Sequence, residues 1–132
     1  MTEASERTRE PGFAVLGAAF GLLAVLAGAF GAHALRASLP EDRLRIFETG
    51  ARYQMFHALA LVVLGTASFG RGAPAARWAG RLFAAGIVLF SGSLYVLALG
   101  GTRAWGAVTP FGGVAWLVAW ALLAVAAARA QG

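Results

Sequence analysis

The sequence predicts an all-α protein, an integral membrane four-helix bundle with a short interfacial helix between its first and second spans. Three observations predict it. Apolar residues make up 59% of the 132-residue chain and charged residues only 13%, a balance outside the soluble range. The apolar residues gather into four runs, each near the roughly 20 helical residues that a hydrocarbon core of about 30 Å requires. The net charge of +5 comes wholly from arginine, and most arginines stand between the runs, where they hold helix ends in the headgroup region.

Residues 1–11 (MTEASERTREP) are polar and mixed in charge, and are expected to form a disordered tail. Residues 12–130 read as one four-span domain. The first span covers 12–35, and its Ala32-His33-Ala34 also has the small-x-small form of a signal-peptide cleavage site. Its apolar stretch is longer than a usual signal h-region, which favours a retained span. Next, ASLPEDRLRIFETG carries Ser38 three residues before Glu41, a capping-box pattern, with Pro40 in the first turn. A short helix from Leu39 to Thr49 would turn Leu44 and Phe47 to the membrane, with Glu41–Arg45 and Glu48–Arg52 as i,i+4 pairs. A solvated connector remains the alternative. The second span, 50–69, begins with Arg52 snorkelling. The third covers 82–100 and the fourth 107–128.

Helical geometry then assigns faces. At 100° per residue, Gly17, Gly21, Ala24, Gly28 and Gly31 form one stripe of span one, a packing seam where another backbone can come close. On span two, Tyr53, Gln54 and His57 share a side with Gly50, Leu61 and Gly65. Polar groups within a bilayer face the bundle or a wet cavity, so this side should point inward. Span three offers Ser91 and Tyr95 one turn apart, with Ser93 nearly opposite, and span four opens with Thr109. Antiparallel threading brings His33, Tyr53, Gln54, His57, Ser91, Tyr95 and Thr109 toward one membrane face, a candidate polar vestibule. His33 lies far round the helix from the glycine seam, so an interfacial position is the competing expectation for it.

Whole classes of function are disfavoured. The chain has no cysteine, which removes thiolate metal sites, disulfides and cysteine nucleophiles. Two histidines without an intramembrane carboxylate fall short of a metal site, and HExxH, GxSxG and Walker patterns are absent. Ser91 or Ser93 beside His57 lacks an acid to orient the imidazole. Arginines spread among apolar runs do not make a nucleic-acid face. No enzyme, metal or cofactor is therefore expected.

Four phrases in order, GAFGAHAL (28–35), TGARYQMFHALAL (49–61), LFSGSLYVLAL (89–99) and VTPFGGVAWLVAW (108–120), resemble the small YgdD-like membrane proteins, which include transmembrane protein 256 and form domain of unknown function 423. The resemblance covers about residues 16–125. It implies a bacterial inner-membrane protein with four spans, and it implies no chemistry. Two readings of function stay open: a non-catalytic interaction or structural protein working with lipid, another copy or a larger membrane complex, and transport or binding of a small ligand, lipid or proton through the vestibule by an oligomer. With four spans both termini share a side with the 70–81 loop. The six arginines there against five opposite lean toward cytoplasmic termini.

Overall fold

The computed structural model describes residues 10–69 and 73–132, and most of the polar tail lies outside them. The described residues form helices joined by short turns, with no strand among them. The elements are α1 (Pro11–His33), a 3-10 turn (Leu35–Ala37), α2 (Glu41–Thr66), α3 (Pro74–Gly86), a π-helical turn (Ile87–Ser91), α4 (Gly92–Ala98), a second 3-10 turn (Arg103–Ala107) and α5 (Thr109–Gln131). The α3, π-turn and α4 segments follow one another without a break. Among the described residues three helical stretches are long and apolar enough to cross a membrane: Gly12–Ala37, Pro74–Ala98 and Arg103–Gln131.

Two boundaries correct the sequence reading. The expected interfacial helix over 39–49 is not separate: it runs straight into the second span as the 26-residue α2, about 39 Å long at 1.5 Å per residue. Nothing between Thr49 and Tyr53 breaks a helix. Phe47 is buried in the first half, tilted against Tyr95 at 4.9 Å and edge-on to Phe30 at 6.4 Å, so packing carries the helix through. Its N-cap is Pro40 and not Ser38; the Ser38 hydroxyl points back to the Ala34 and Leu35 carbonyls. Of the two expected ion pairs, Glu41–Arg45 forms. The third span likewise begins at Pro74, eight residues before Leu82. Charge does not end a helix when it can lie outside: Arg77 and Arg81 are exposed, and the Arg81 guanidinium sits 5.0 Å over the Trp78 ring, while Ala76, Ala79, Gly80 and Phe83 form the buried side.

The packing order follows the chain. The α1 helix lies along α2, and α2 is flanked on its other side by α3, the π-turn and α4. The α3 helix in turn lies along α5. Glycines set the closest approaches. A Cβ on Gly17 would meet the Ala58 carbonyl at 2.7 Å, and one on Gly65 would meet the Ala14 nitrogen at 2.2 Å, so these two positions let the α1 and α2 backbones touch. On the other side of the molecule a Cβ on Gly112 would collide with the Phe90 backbone, and one on Gly86 would collide with the Trp116 indole. The main core joins Leu61 and Leu64 of α2, Phe83 and Ile87 of the third helical stretch, and Trp116 of α5. After α4 the chain turns at Gly100, whose φ of 110° a side chain would strain.

Candidate functional site

The α2 helix carries most of the polar groups expected to converge, and its two neighbours divide them. Gln54, 4% exposed, donates from Nε2 to the Phe20 carbonyl of α1 at 2.9 Å and accepts from the Tyr95 hydroxyl of α4 at 2.6 Å. It pins three helices at one level. Gly50 makes room for this: the Tyr95 ring lies 3.0 Å from where a Cβ would stand. One turn away on α4's side, Ser91 at the end of the π-turn donates to the Gly50 carbonyl at 2.7 Å.

His57 faces the other way, toward α5. Its Nδ1 lies 2.7 Å from the Tyr53 carbonyl, and the Trp120 indole N–H donates to its Nε2 at 3.2 Å. A carbonyl only accepts and an indole N–H only donates. This pair of partners therefore selects the neutral imidazole protonated on Nδ1. The ring lies flat on Trp116, with centroids 3.6 Å apart and planes 3° apart. Trp116 is itself fixed by its own N–H, which donates to the Phe83 carbonyl at 3.2 Å. A third, smaller link joins Ser93 to Thr109 through their hydroxyls at 2.7 Å, with Ser93 also donating to the Phe90 carbonyl.

Of the seven residues expected in one vestibule, Gln54, Ser91 and Tyr95 share one junction, Tyr53 and His57 a second, and Thr109 a third. His33 joins none: it sits exposed on the last turn of α1. The junctions also stand at different points along their helices: Phe20 is the tenth residue of α1, counted from Pro11 through His33, Tyr95 is the 22nd of the 25 residues of Pro74–Ala98, and Thr109 is the first of α5. The glycine stripe of α1 lies toward α2 unevenly: Gly17 and Ala24 are tightly covered and a Cβ on Gly31 would stand 3.1 Å from the Phe47 ring, whereas a Cβ on Gly21 would find one neighbour at 4.0 Å and one on Gly28 none within 4 Å.

Sequence reading missed Trp116 and Trp120 as the partners of His57. Their i,i+4 spacing, which puts both on one face of α5, was the available signal. A groove of about 560 Å³ opens between α2 and α5, walled by Tyr53, His57, Phe90, Gly113, Trp116 and Trp120.

Comparison with known proteins agrees with this all-helical, apolar architecture. Residues 27–113 match the family described as Protein of unknown function (DUF423). The UPF0382 membrane protein YwdK of Bacillus subtilis is 47% identical over 118 residues, 89% of this chain and 96% of YwdK. The UPF0382 inner membrane protein YgdD of Escherichia coli K12 is 44% identical over 115 residues, 87% of this chain and 88% of YgdD. A UPF0382 membrane protein of Staphylococcus epidermidis is 45% identical over 120 residues, 91% of this chain and 98% of its own length. No solved structure matches the chain. With the family match spanning α2, α3 and α4 in full, and relatives this similar along nearly their whole length, the chain belongs to the DUF423 family of membrane proteins.

Proposed function

We propose that this protein is a four-span resident of the bacterial plasma membrane, with both termini cytoplasmic and a non-catalytic role: holding another membrane component against its exposed helix faces. The observation that carries this reading is the use of the polar side chains. Gln54, His57, Ser91, Ser93, Tyr95 and Trp116 all hydrogen-bond to other groups of this chain, and among the described residues no buried side-chain nitrogen or oxygen lacks a partner. Groups spent on joining helices are not poised to attack or to shuttle protons. Apolar surface is meanwhile plentiful: Val15, Leu22, Val25 and Leu26 on α1 and Leu117 and Val118 on α5 are exposed. The E. coli relative's name, an inner membrane protein, supports the location. The α2–α5 groove favours a second reading, in which the component held is a small apolar ligand.

Topology tests the proposal directly, because the chain has no native cysteine. Single cysteines at Ser38, Ala73, Thr102 and Gln131 are treated in intact cells with a membrane-impermeant maleimide. Four spans require Ser38 and Thr102 to react from outside and Ala73 and Gln131 only after permeabilisation. Reaction of Ser38 and Ala73 from the same side would show that α2 does not cross, and the four-span reading would fall. For the role itself, His57→Ala and Gln54→Ala should lower bundle stability in proportion to any loss of cellular phenotype. Loss of a phenotype at full stability would overturn the non-catalytic assignment.

A further inference from the structure

The α2 helix carries two Glu–Arg pairs at i,i+4 spacing, and they behave differently. Glu41 and Arg45 close into the one ion pair found among the described residues. Glu48 and Arg52 stay apart and instead line a groove of about 360 Å³ between α2 and α1, whose other walls are Ala24, Gly28 and Ala51. Gly28 keeps it open, since a Cβ there would meet nothing within 4 Å. Two contacts fix the groove's level: the approach of Phe47 to Gly31 on one side and the Gln54 bond to the Phe20 carbonyl on the other. Gly28 stands nine residues inside the Ala37 end of the apolar stretch Gly12–Ala37. Glu48 and Arg52 therefore lie beside the apolar length of α1 and not beyond its end.

At 100° per residue, Glu48, Arg52, Met55 and Leu59 fall within about 60° of one another on α2. From the Ser38 end inward, this face presents an acid, a base and then two apolar side chains, of which Leu59 is 55% exposed. An aminophospholipid has the same order: ammonium at the tip, phosphate next, acyl chains last. Two carbons separate its charged groups, a span suited to side chains whose Cβ atoms stand about 5–6 Å apart. Other occupants fit less well. A second copy related by a two-fold axis along the membrane normal sets acid against acid and base against base at equal depth. A phosphate head without an amine leaves the Glu48 carboxylate unpaired beside hydrocarbon, which is costly. A trimethylated amine has no N–H to donate. Resting on the four-span reading, and giving a chemistry to the component held, we propose that this groove seats the head of a phosphatidylethanolamine-type lipid. The Arg52 guanidinium donates to the phosphate, and the Glu48 carboxylate accepts from the ammonium.

The test places the full chain in nanodiscs holding equal parts of phosphatidylethanolamine, phosphatidylcholine and phosphatidylglycerol with identical acyl chains, and reads retained lipid by native mass spectrometry. Phosphatidylethanolamine should be retained roughly three- to tenfold over each of the others, as for one charge-assisted hydrogen bond at a partly exposed site. Glu48→Gln should erase the preference over phosphatidylglycerol. Arg52→Gln should lower retention of all three lipids, and Gly28→Leu should do the same by filling the groove. Unfolding midpoints show that the variants are folded; where one does not fold, the preference of the unaltered chain decides. Equal retention of the three lipids, a preference for phosphatidylglycerol, or a phosphatidylethanolamine preference that survives Glu48→Gln would overturn the proposal. So would a dimer that Glu48→Gln separates, with no discrimination among lipids, which would assign the groove to a second copy. The cysteine topology reports separately on the four-span reading, so a correct topology without this lipid preference removes this inference alone.

Discussion

The Gln54–Tyr95 junction makes a quantitative prediction. Gln54→Met keeps the side chain's length and apolar contacts while removing two bonds, to the Phe20 carbonyl at 2.9 Å and from the Tyr95 hydroxyl at 2.6 Å. Interhelical hydrogen bonds in membranes average about 0.6 kcal/mol, with a maximum near 1.7 kcal/mol, so the two together contribute roughly 1–2 kcal/mol. Gln54→Met also leaves the Tyr95 hydroxyl without its acceptor, which brings the expected loss to about 2 kcal/mol. Tyr95→Phe removes one bond and leaves the Gln54 carbonyl oxygen bare, at about 1 kcal/mol. In the double variant neither orphan remains. The two losses should therefore fall short of additivity by about 0.5–1.5 kcal/mol, measured as reversible unfolding in bicelles by steric trapping. Additive losses, with a coupling below about 0.3 kcal/mol, would mean that the junction does not join the helices energetically and that the polar groups have another purpose.

Other substitutions follow from the close approaches. Gly86→Ala must displace the Trp116 indole, which stands 2.3 Å from the new Cβ; it should cost about 1–3 kcal/mol and alter near-ultraviolet circular dichroism from the aromatic stack. Gly17→Ala and Gly28→Ala lie on one stripe yet should behave oppositely: the first collides with the α2 backbone and lowers the unfolding midpoint, while the second meets open space and, with better helix propensity, holds or raises stability by up to about 1 kcal/mol. Ser91→Ala leaves the Gly50 carbonyl without its 2.7 Å donor and should cost about 1 kcal/mol in the same unfolding assay.

The parts of this architecture legible in the sequence are those governed by apolar run length and helical phase. Gly17 and Ala24 of the α1 stripe lie against α2 although Gly28 meets open space, and the opposed directions of Ser91 and Ser93 lead to different partners, Gly50 and Thr109. The rest was hidden for definable reasons. Residues 39–49 and 50–69 read as an interfacial helix and a separate span, because their continuity depends on Phe47 packing against Tyr95, a tertiary contact. Gln54 and His57 were grouped on one side because they differ by only about 60° around the helix; on a helix flanked by two neighbours that angle is enough to give them different partners. Acceptors such as the Phe20, Tyr53 and Phe83 carbonyls have no sequence signature at all, and most of the bonds at these junctions end on backbone oxygen.

This distribution explains why α2 can be the least apolar of the long helices and still belong within the bundle. The apolar stretch of α1 is only 11% buried and that of the α5 stretch 22%; these two outer helices must satisfy the lipid themselves, and they carry almost no polar side chains along their lengths. Flanked on both sides, α2 has eleven buried residues between Leu44 and Gly65, and its glutamine and histidine meet protein instead of hydrocarbon. Its hydropathy in isolation therefore understates its fitness to span, because what a polar side chain costs in a membrane depends on whether a neighbour supplies the partner. It follows that α2 should depend on α1 for insertion: the Gly17 and Gly65 contacts and the Gln54 bond to Phe20 require α1 to be present as a hairpin partner. Truncation of α1, scored by the same cysteine labelling at Ser38, should leave Ser38 protected in intact cells because α2 stays uninserted, while the α3–α4 stretch and α5 still cross.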